Sequence, residues 1–162
     1  MDNRRLAISA LLTALAIIIP FIVIFKVIIP PFTATLGAHV PMFISMLLGP
    51  KVAVMVGLGS ALGFFLNLGS IVGLRALMHV FVGLLGAFLI KKGASFGRAV
   101  IITAPLHGLL EMLVVMPFIG MDVYNILIIT GLGTVLHHFA DGFISYGIIN
   151  ILEKSRIVNF QK

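Results

Sequence analysis

The sequence predicts an all-α integral membrane protein, a single membrane domain over residues 1–162 that forms a bundle of six transmembrane helices. Hydrophobic residues make up 60% of the chain and charged residues only 10%, whereas soluble domains average roughly 45–50% and 25%. Mean hydropathy is +1.23. Apolar runs long enough to cross a bilayer follow one another along the chain. The polar surface is too small to cover a water-soluble globule, so much of the protein must face lipid.

Six apolar segments, separated by turn residues or polar connections, define the predicted helices. The first covers about residues 5–28, and Pro30 and Pro31 end it ahead of a loop at 32–36. Its apolar run is too long for the core of a signal peptide, so we interpret it as a retained helix. Turn residues such as Gly49 and Pro50 separate the later segments. These cover about 37–48, 51–66, 71–90, 99–116 and 124–152, with connections at 67–70, 91–98 and 117–122.

Positive charges mark alternate ends of these helices. The opposite loops carry few charges beyond Lys26 and Asp122. The positive-inside rule therefore predicts that both termini are cytoplasmic. Because the net charge of +6 is scattered with no basic stripe, it does not indicate nucleic-acid binding. The charges on the predicted inner side are Arg4, Arg5, Lys51, Lys91, Lys92, Arg98, Lys154, Arg156 and Lys162.

Two absences limit the possible chemistry. The chain has no cysteine, which excludes a disulfide framework, a thiolate metal site and a cysteine nucleophile. It has no glycine-rich phosphate loop of the ATPase type, and six spans leave no room for an ATPase domain. The energy for any uphill transport would therefore come from another protein.

Ionisable residues inside the predicted helices are the main functional signal. An Arg, Lys or Asp at mid-helix costs about 2.5–3.5 kcal/mol on insertion scales, so such residues usually mark function. His39 begins the second helix. The others form pairs four residues apart, which places each pair on one helix face: Arg75 and His79, His107 and Glu111, His137 and Asp141.

The depths of these residues predict a pocket in the outer half of the bundle. At about 1.5 Å per residue, Arg75 reaches the level of Glu111, and His79 that of His107. We expect His137 to form the floor of the pocket, or to lie higher if the sixth helix begins later than predicted. Asn67, in an outer loop, is placed to close the pocket, although loop asparagines are common in turns.

Each group also has a structural interpretation. Arg75 and Glu111 would form a buried salt bridge, and His79 and His107 would bond to the backbone or to each other. His138 must point away from His137. We expect Asp141 to orient a histidine of the last helix rather than contact a ligand.

Three chemistries fit this set of residues. A pocket with Arg75 could bind a small aromatic anion, with a histidine contacting a ring nitrogen and Phe32, Phe64 or Phe65 contacting the ring. Histidines and carboxylates could bind a metal, as in an intramembrane hydrolase, although no His-Glu-x-x-His motif is present. The row could also relay protons, but it does not continue past Asp141.

Small residues form a second feature. Ala7, Ala10 and Ala14 lie on one face of the first helix, and Gly59 and Gly63 have the same spacing in the third. Such spacings allow close helix approach. They indicate packing within the bundle, or a face formed by Ala10 and Ala14 that docks another membrane protein.

The chain resembles the S components of energy-coupling factor (ECF) vitamin transporters, which are six-helix proteins of about this size. The resemblance covers nearly the whole chain and is closest to the niacin S component. In helix 1 it rests on Ala10-x-x-x-Ala14, which is similar to the motif that docks on the coupling subunit. Elsewhere it rests on the stretches at 37–41, 74–79, 106–111 and 131–137.

This resemblance implies a bacterial plasma-membrane protein that captures niacin outside the cell and is not an enzyme. It would work with a transmembrane coupling subunit and two cytoplasmic ATPases, without a cofactor or metal. Arg75 would hold the carboxylate of nicotinate, and His79 or His107 would contact the ring nitrogen. If Glu111 neutralises Arg75, the amide form would be better tolerated. An S component for another vitamin, such as riboflavin, is the alternative within the family.

Overall fold

A computed structural model describes residues 3–155, and most of these residues are helical. Five helical stretches, Asn3–Ile22, Pro50–Leu68, Ser70–Lys91, Phe96–Ile119 and Asn125–Lys154, are long and apolar enough to cross a membrane. The elements in order are α1 (Asn3–Ile22), β1 (Lys26–Ile29), β2 (Phe32–Thr35), α2 (Val40–Leu48), α3 (Pro50–Leu68), α4 (Ser70–Leu77), α5 (His79–Lys91), α6 (Phe96–Ile119), a π-helical segment (Asn125–Leu132) and α7 (Gly133–Lys154).

The predicted helical segments correspond to this order. The last four of the five long stretches lie within a few residues of the predicted helices, although the fourth predicted helix is divided at Met78 into α4 and α5. The second predicted helix is α2, which has only nine residues and is too short to count among the five. Two predicted inner-side charges, Arg156 and Lys162, lie outside the described residues.

The connection between α1 and α2 is a β-hairpin, so the all-α prediction is wrong at this point. Helix α1 ends at Ile22 rather than near residue 28. Strands β1 and β2 pair antiparallel, with Lys26 opposite Thr35 and Ile29 opposite Phe32. The Pro30–Pro31 peptide at the turn is cis. The strands are rich in Val, Ile, Thr and Phe, which favour extended backbone, and proline at the turn removes N–H donors that a continuing helix needs.

Helix α2 begins inside the bundle because it is short. Nine residues rise only about 13 Å. The helix ends at Gly49, where Arg5 near the start of α1 donates to the Leu48 carbonyl. Irregular backbone at membrane depth is tolerated only where protein covers and satisfies it. Here the Asp141 carboxylate accepts hydrogen bonds from the backbone N–H of Gly37 at 2.7 Å and of His39 at 3.0 Å.

Glycines let α1 and α3 approach closely. A Cβ added to Gly63 would lie 2.8 Å from Ile17 Cα, and one added to Gly59 would lie 2.8 Å from Thr13 Cγ2. At Gly63 only glycine permits this approach without a shift of the backbone, and at Gly59 a larger residue would displace the Thr13 side chain. The predicted packing role of the α3 glycines is therefore confirmed. Below the hairpin, the core is formed by residues of α2, α3 and α5, including Met42, Phe43, Met46, Val52, Val56 and Val82.

The last long stretch begins with an aspartate cap. Asp122 is exposed and accepts hydrogen bonds from the Asn125 backbone N–H at 3.1 Å and from its side chain at 2.7 Å. These bonds hold the pKa of Asp122 below its usual value. The π-helical turns that follow are a rare local geometry, which often occurs at functional sites. They lead directly into α7, which carries the histidine pair of this helix.

Candidate functional site

A narrow cavity of about 20 Å³ lies between the hairpin and the helices. Five of the seven predicted ligand-binding residues line it. His107 lies behind its wall, and Asn67 is not among its lining residues. The cavity is lined by Thr33, Thr35, Ala38, His39, Phe64, Val72, Arg75, Ala76, His79, Glu111 and His137.

Arg75 and Glu111 form a buried ion pair, as the predicted upper tier requires. Arg75 Nε lies 3.0 Å and Nη2 2.5 Å from the same oxygen, Glu111 Oε2. Both side chains are buried. Thr134 donates a hydrogen bond to that oxygen at 2.6 Å. Because a buried charge without a partner is costly, this pairing explains how α4 and α6 hold both charges within the bundle.

The rest of the Arg75 guanidinium binds the hairpin. Nη1 donates to the Pro31 carbonyl at 2.9 Å and to Thr33 Oγ1 at 3.2 Å, and Nη2 donates to the Thr33 carbonyl at 3.3 Å. The Phe32 ring lies 5.4 Å from the guanidinium carbon, within the range of a cation–π contact. All five guanidinium N–H groups therefore have acceptors, and Arg75 links the hairpin to α6.

Three buried histidines meet beside the ion pair. The ring centroids of His79 and His107 are 5.2 Å apart, so the predicted second tier is confirmed. The ring of His39 lies 4.7 Å from His79 and 4.8 Å from His107. A ring nitrogen of each residue lies within 4.8 Å of those of the other two. The structure thus brings His39, the residue that precedes α2, next to His79 and His107.

The outer side of this cluster is held by polar partners. His79 Nδ1 lies 2.8 Å from Ser60 Oγ. His107 Nδ1 lies 3.1 Å from His138 Nδ1, and His138 Nε2 lies 3.1 Å from the Val100 carbonyl. His138 faces away from the cavity in a structural role, as predicted.

Two ring nitrogens in this cluster have no hydrogen-bond partner within residues 3–155, although each is close to a carboxylate. They are His107 Nε2, 3.4 Å from Glu111 Oε1, and His39 Nδ1, 3.0 Å from Asp141 Oδ2. Both distances suit an ion pair, but neither pair has hydrogen-bond geometry. Buried polar atoms without a partner are uncommon, so these two nitrogens are the positions in the cluster where a hydrogen-bond partner or ligand is missing.

Asp141 orients His137, as predicted from their spacing. His137 Nε2 lies 3.1 Å from Asp141 Oδ2 and 3.1 Å from the Thr35 carbonyl. His137 lines the same cavity as Arg75, although the last helical stretch begins at Asn125, as predicted, rather than late. Asp141 also holds the turn before α2, a role that the sequence analysis did not foresee.

Asn67 and the three predicted aromatic residues do not all lie at the cavity. Asn67 donates to the Pro20 carbonyl of α1 and does not line the cavity, so its expected role of closing the pocket finds no support in this geometry. Phe64 lines the cavity and Phe32 covers Arg75. Phe65 is 53% exposed and faces outward.

Several polar residues of the site were missed by the sequence analysis. The alternation in Phe32–Thr35 is a strand signal that would have drawn attention to Thr33 and Thr35. Thr134 lies on the face of α7 that carries His138 and Asp141, at spacings of three and four. Ser60 offers no comparable signal, since small polar residues are common inside membrane helices.

The face of Ala10 and Ala14 points out of the bundle. Both alanines are exposed, and the buried residues of α1 are Ser9, Leu12, Ala16 and Pro20. The helix surface around the alanines is strongly apolar, with Leu11 60% exposed. Packing within the bundle therefore does not account for these two alanines.

One curated protein provides the comparison with known sequences. The niacin transporter NiaX of Lactococcus lactis subsp. cremoris (strain MG1363) is 36% identical over 168 aligned positions, which cover 94% of this chain and 76% of the relative. Its name describes a transporter rather than an enzyme, in agreement with the prediction for this chain. No family model and no solved structure matches the chain.

Proposed function

The chain belongs to the family of the niacin transporter NiaX, and we propose that it is the substrate-binding S component of an ECF importer, which captures niacin at the outer face. As a family member with five apolar membrane-length helices, it is a multi-pass cell-membrane protein. The observation that carries the proposal is the cavity under the hairpin, which is lined by one guanidinium, three imidazoles, the Glu111 carboxylate and two threonines. A pyridine ring with a carboxyl or amide group presents matching chemistry.

Arg75 binds the carboxyl or amide group in this proposal. Glu111 occupies two of its donors, and the hairpin occupies the other three through Pro31 and Thr33. A ligand therefore replaces the hairpin acceptors rather than Glu111, because the buried ion pair is costly to break. The carbonyl group of nicotinamide and the carboxylate of nicotinate can both accept these hydrogen bonds.

The hairpin moves when the ligand enters. The cavity is narrow, and its outer wall includes Thr33 and Thr35 of β2. Arg75 and His137 hold that strand through carbonyl and hydroxyl contacts with Thr33 and Thr35. The groups that hold the hairpin are thus the groups that meet the ligand, so ligand binding and hairpin release are coupled. His39, His79 and His107 lie deeper and serve the aromatic ring.

Six spans and cytoplasmic termini form part of the proposal. The sixth span is α2 together with the hairpin above it. The contact between Arg5 and Leu48 supports this, because it brings the end of α2 to the level where α1 begins. Arg5 and Lys91 line one cleft, so basic residues from separate helices meet at this end, as the positive-inside rule requires.

Energy comes from partner proteins in this proposal. A transmembrane coupling subunit contacts the exposed Ala10 and Ala14 face, and two cytoplasmic ATPases drive release of the vitamin inside. The support is the outward position of both alanines and the small-residue spacing that permits close helix contact.

Ligand binding by the purified protein tests the proposal directly. The chain is purified in detergent without ATP, and binding of nicotinate, nicotinamide and riboflavin is measured by calorimetry. Mass spectrometry of the purified protein identifies any vitamin carried with it. Saturable binding of niacin in either form supports the proposal, and binding of riboflavin alone would overturn it.

A further inference from the structure

We propose that His39, His79 and His107 bind a divalent transition-metal ion at the inner end of the cavity. The ring nitrogen of the vitamin then completes its coordination, a second part that rests on the proposed function. The three ring nitrogens lie within 4.8 Å of one another. Imidazole nitrogen is a preferred ligand of Zn²⁺, Ni²⁺ and Cu²⁺, and three histidines with one open position form a familiar zinc arrangement.

The distances require only a small closure of the cluster. Zn–N bonds of about 2.0–2.1 Å in a tetrahedral site place neighbouring ligand nitrogens about 3.3 Å apart. The longest separation therefore shortens by at most about 1.5 Å, which changes in histidine side-chain torsions can supply. The three histidines are 3% exposed or less, so surrounding protein atoms would keep water away from an ion bound between them.

Outer partners orient the three rings as in metal sites. A ligating histidine usually gives its other ring nitrogen to a carboxylate, a carbonyl or a similar group. His79 Nδ1 contacts Ser60, His107 Nδ1 contacts His138, and His39 Nδ1 lies 3.0 Å from an Asp141 oxygen. In His79 and His107 the opposite nitrogen, Nε2, is thereby left for an ion, whereas His39 Nδ1 lies beside the Asp141 carboxylate without hydrogen-bond geometry.

The hydrogen-bond chain behind His107 assigns its protons. The Val100 carbonyl only accepts, so His138 Nε2 carries a proton and, in the neutral ring, His138 Nδ1 accepts. His107 Nδ1 is then the donor. When the His107 ring is neutral, its Nε2 therefore presents a lone pair, 3.4 Å from the carboxylate oxygen Glu111 Oε1.

Two acceptors facing each other in a buried site repel. His107 Nε2 has no hydrogen-bond partner in the part of the chain that the structure describes, and the hydrogen bonds from Arg75 and Thr134 to Glu111 go to its other oxygen, Oε2. A cation near both atoms converts this repulsion into attraction. This unpartnered nitrogen is an observation independent of the spacing of the three rings, and it points to the same place.

The open position of the ion faces the vitamin. His39 and His79 line the cavity, while His107 lies behind it. Arg75 is one helical turn before His79, which places a carboxylate-binding group beside the ion. A pyridine carboxylate can contact both, with its nitrogen on the ion and its carboxylate on Arg75.

Cobalt provides the direct test, because Co²⁺ bound by histidines absorbs visible light. Tag-free protein in detergent is treated with a chelator and titrated with Co²⁺, followed by competition with Zn²⁺. We expect one equivalent to bind with a tetrahedral spectrum, and His79→Gln to weaken binding at least about 10-fold. Ser60→Ala should weaken it about 10–100-fold, as expected for an outer partner.

His137→Gln separates this site from the neighbouring group of His39, His137 and Asp141, which also has metal-ligand spacing. Retention of cobalt by His137→Gln and its loss in His79→Gln support the proposal. The reverse pattern overturns it, as does the absence of stoichiometric cobalt in folded wild-type protein. Circular dichroism of each variant checks folding.

Nicotinate addition tests the second part. A change in the cobalt spectrum and stronger nicotinate binding with metal support coordination of the ring nitrogen. Equal nicotinate binding with and without metal overturns that part and leaves the proposed function intact. Metal binding without any niacin binding would contradict the proposed function but would still support the metal site.

Discussion

Two nitrogens of Arg75 bind the same carboxylate oxygen of Glu111: guanidinium Nε lies 3.0 Å and Nη2 2.5 Å from Oε2. The other carboxylate oxygen, Oε1, is left toward His107. One ion pair thus joins the hairpin, α4 and α6, and it also borders the histidine cluster. This arrangement leads to the first prediction.

Arg75→Ala should destabilise the folded protein and abolish niacin binding. Removing one partner leaves the Glu111 charge buried and uncompensated, at a cost of about 3–5 kcal/mol. Unfolding by SDS, followed by circular dichroism, measures the stability. The double variant Arg75→Met, Glu111→Met should recover most of the loss, because no charge is then left unpaired. It should still fail to bind niacin, and unchanged binding in this variant would contradict the role of Arg75.

Gly63→Ala should weaken the contact between α1 and α3. The added Cβ would lie 2.8 Å from Ile17 Cα and 2.9 Å from its carbonyl carbon, and backbone atoms cannot rotate away. Overpacking of this kind costs about 1–3 kcal/mol. The matched control is Gly147→Ala on α7, where an added Cβ meets nothing within 4 Å. It should be neutral or stabilising by up to about 1 kcal/mol. Equal stability of both variants would argue against the close approach.

Ala14→Trp should abolish niacin uptake by cells while niacin binding by the purified variant stays intact. The exposed position of Ala14 leaves room for the larger side chain within the isolated chain, but not at a closely packed helix interface. Leu136→Trp on α7, where the leucine is 62% exposed, serves as the control and should preserve uptake. Loss of binding in Ala14→Trp would show that this face packs inside the protein.

Cysteine labelling should establish the topology, because the chain has no native cysteine. The variants Ser70→Cys, Lys92→Cys and Asp122→Cys each place one thiol at an exposed position. With six spans and cytoplasmic termini, a membrane-impermeant maleimide should label Ser70→Cys and Asp122→Cys in intact cells. Lys92→Cys should react only after lysis. The opposite pattern would overturn the proposed topology, because it requires either that α2 and the hairpin do not act as a span or that both termini lie outside.

Local spacing was a reliable guide to the helix faces of the site. The pairs Arg75 and His79, and His107 and Glu111, were each placed on one face by their spacing of four, and both pairs point into the bundle. Their matching depths predicted the contact of Arg75 with Glu111, because a helix rise is the same in every sequence. The hairpin was not predicted, since short strand signals depend on a pairing partner and on covering side chains.

Hydropathy and charge by themselves determined that this protein lies in a membrane, where most of its helices run and which residues are buried ions. Those properties follow from the cost of exposing polar groups to lipid, which is paid residue by residue. Only the tertiary structure decided that His39 enters the cluster, that β2 covers Arg75 and that Ala14 faces outward. These relationships depend on how segments far apart in sequence pack, and helix spacing holds no information about the neighbour across an interface.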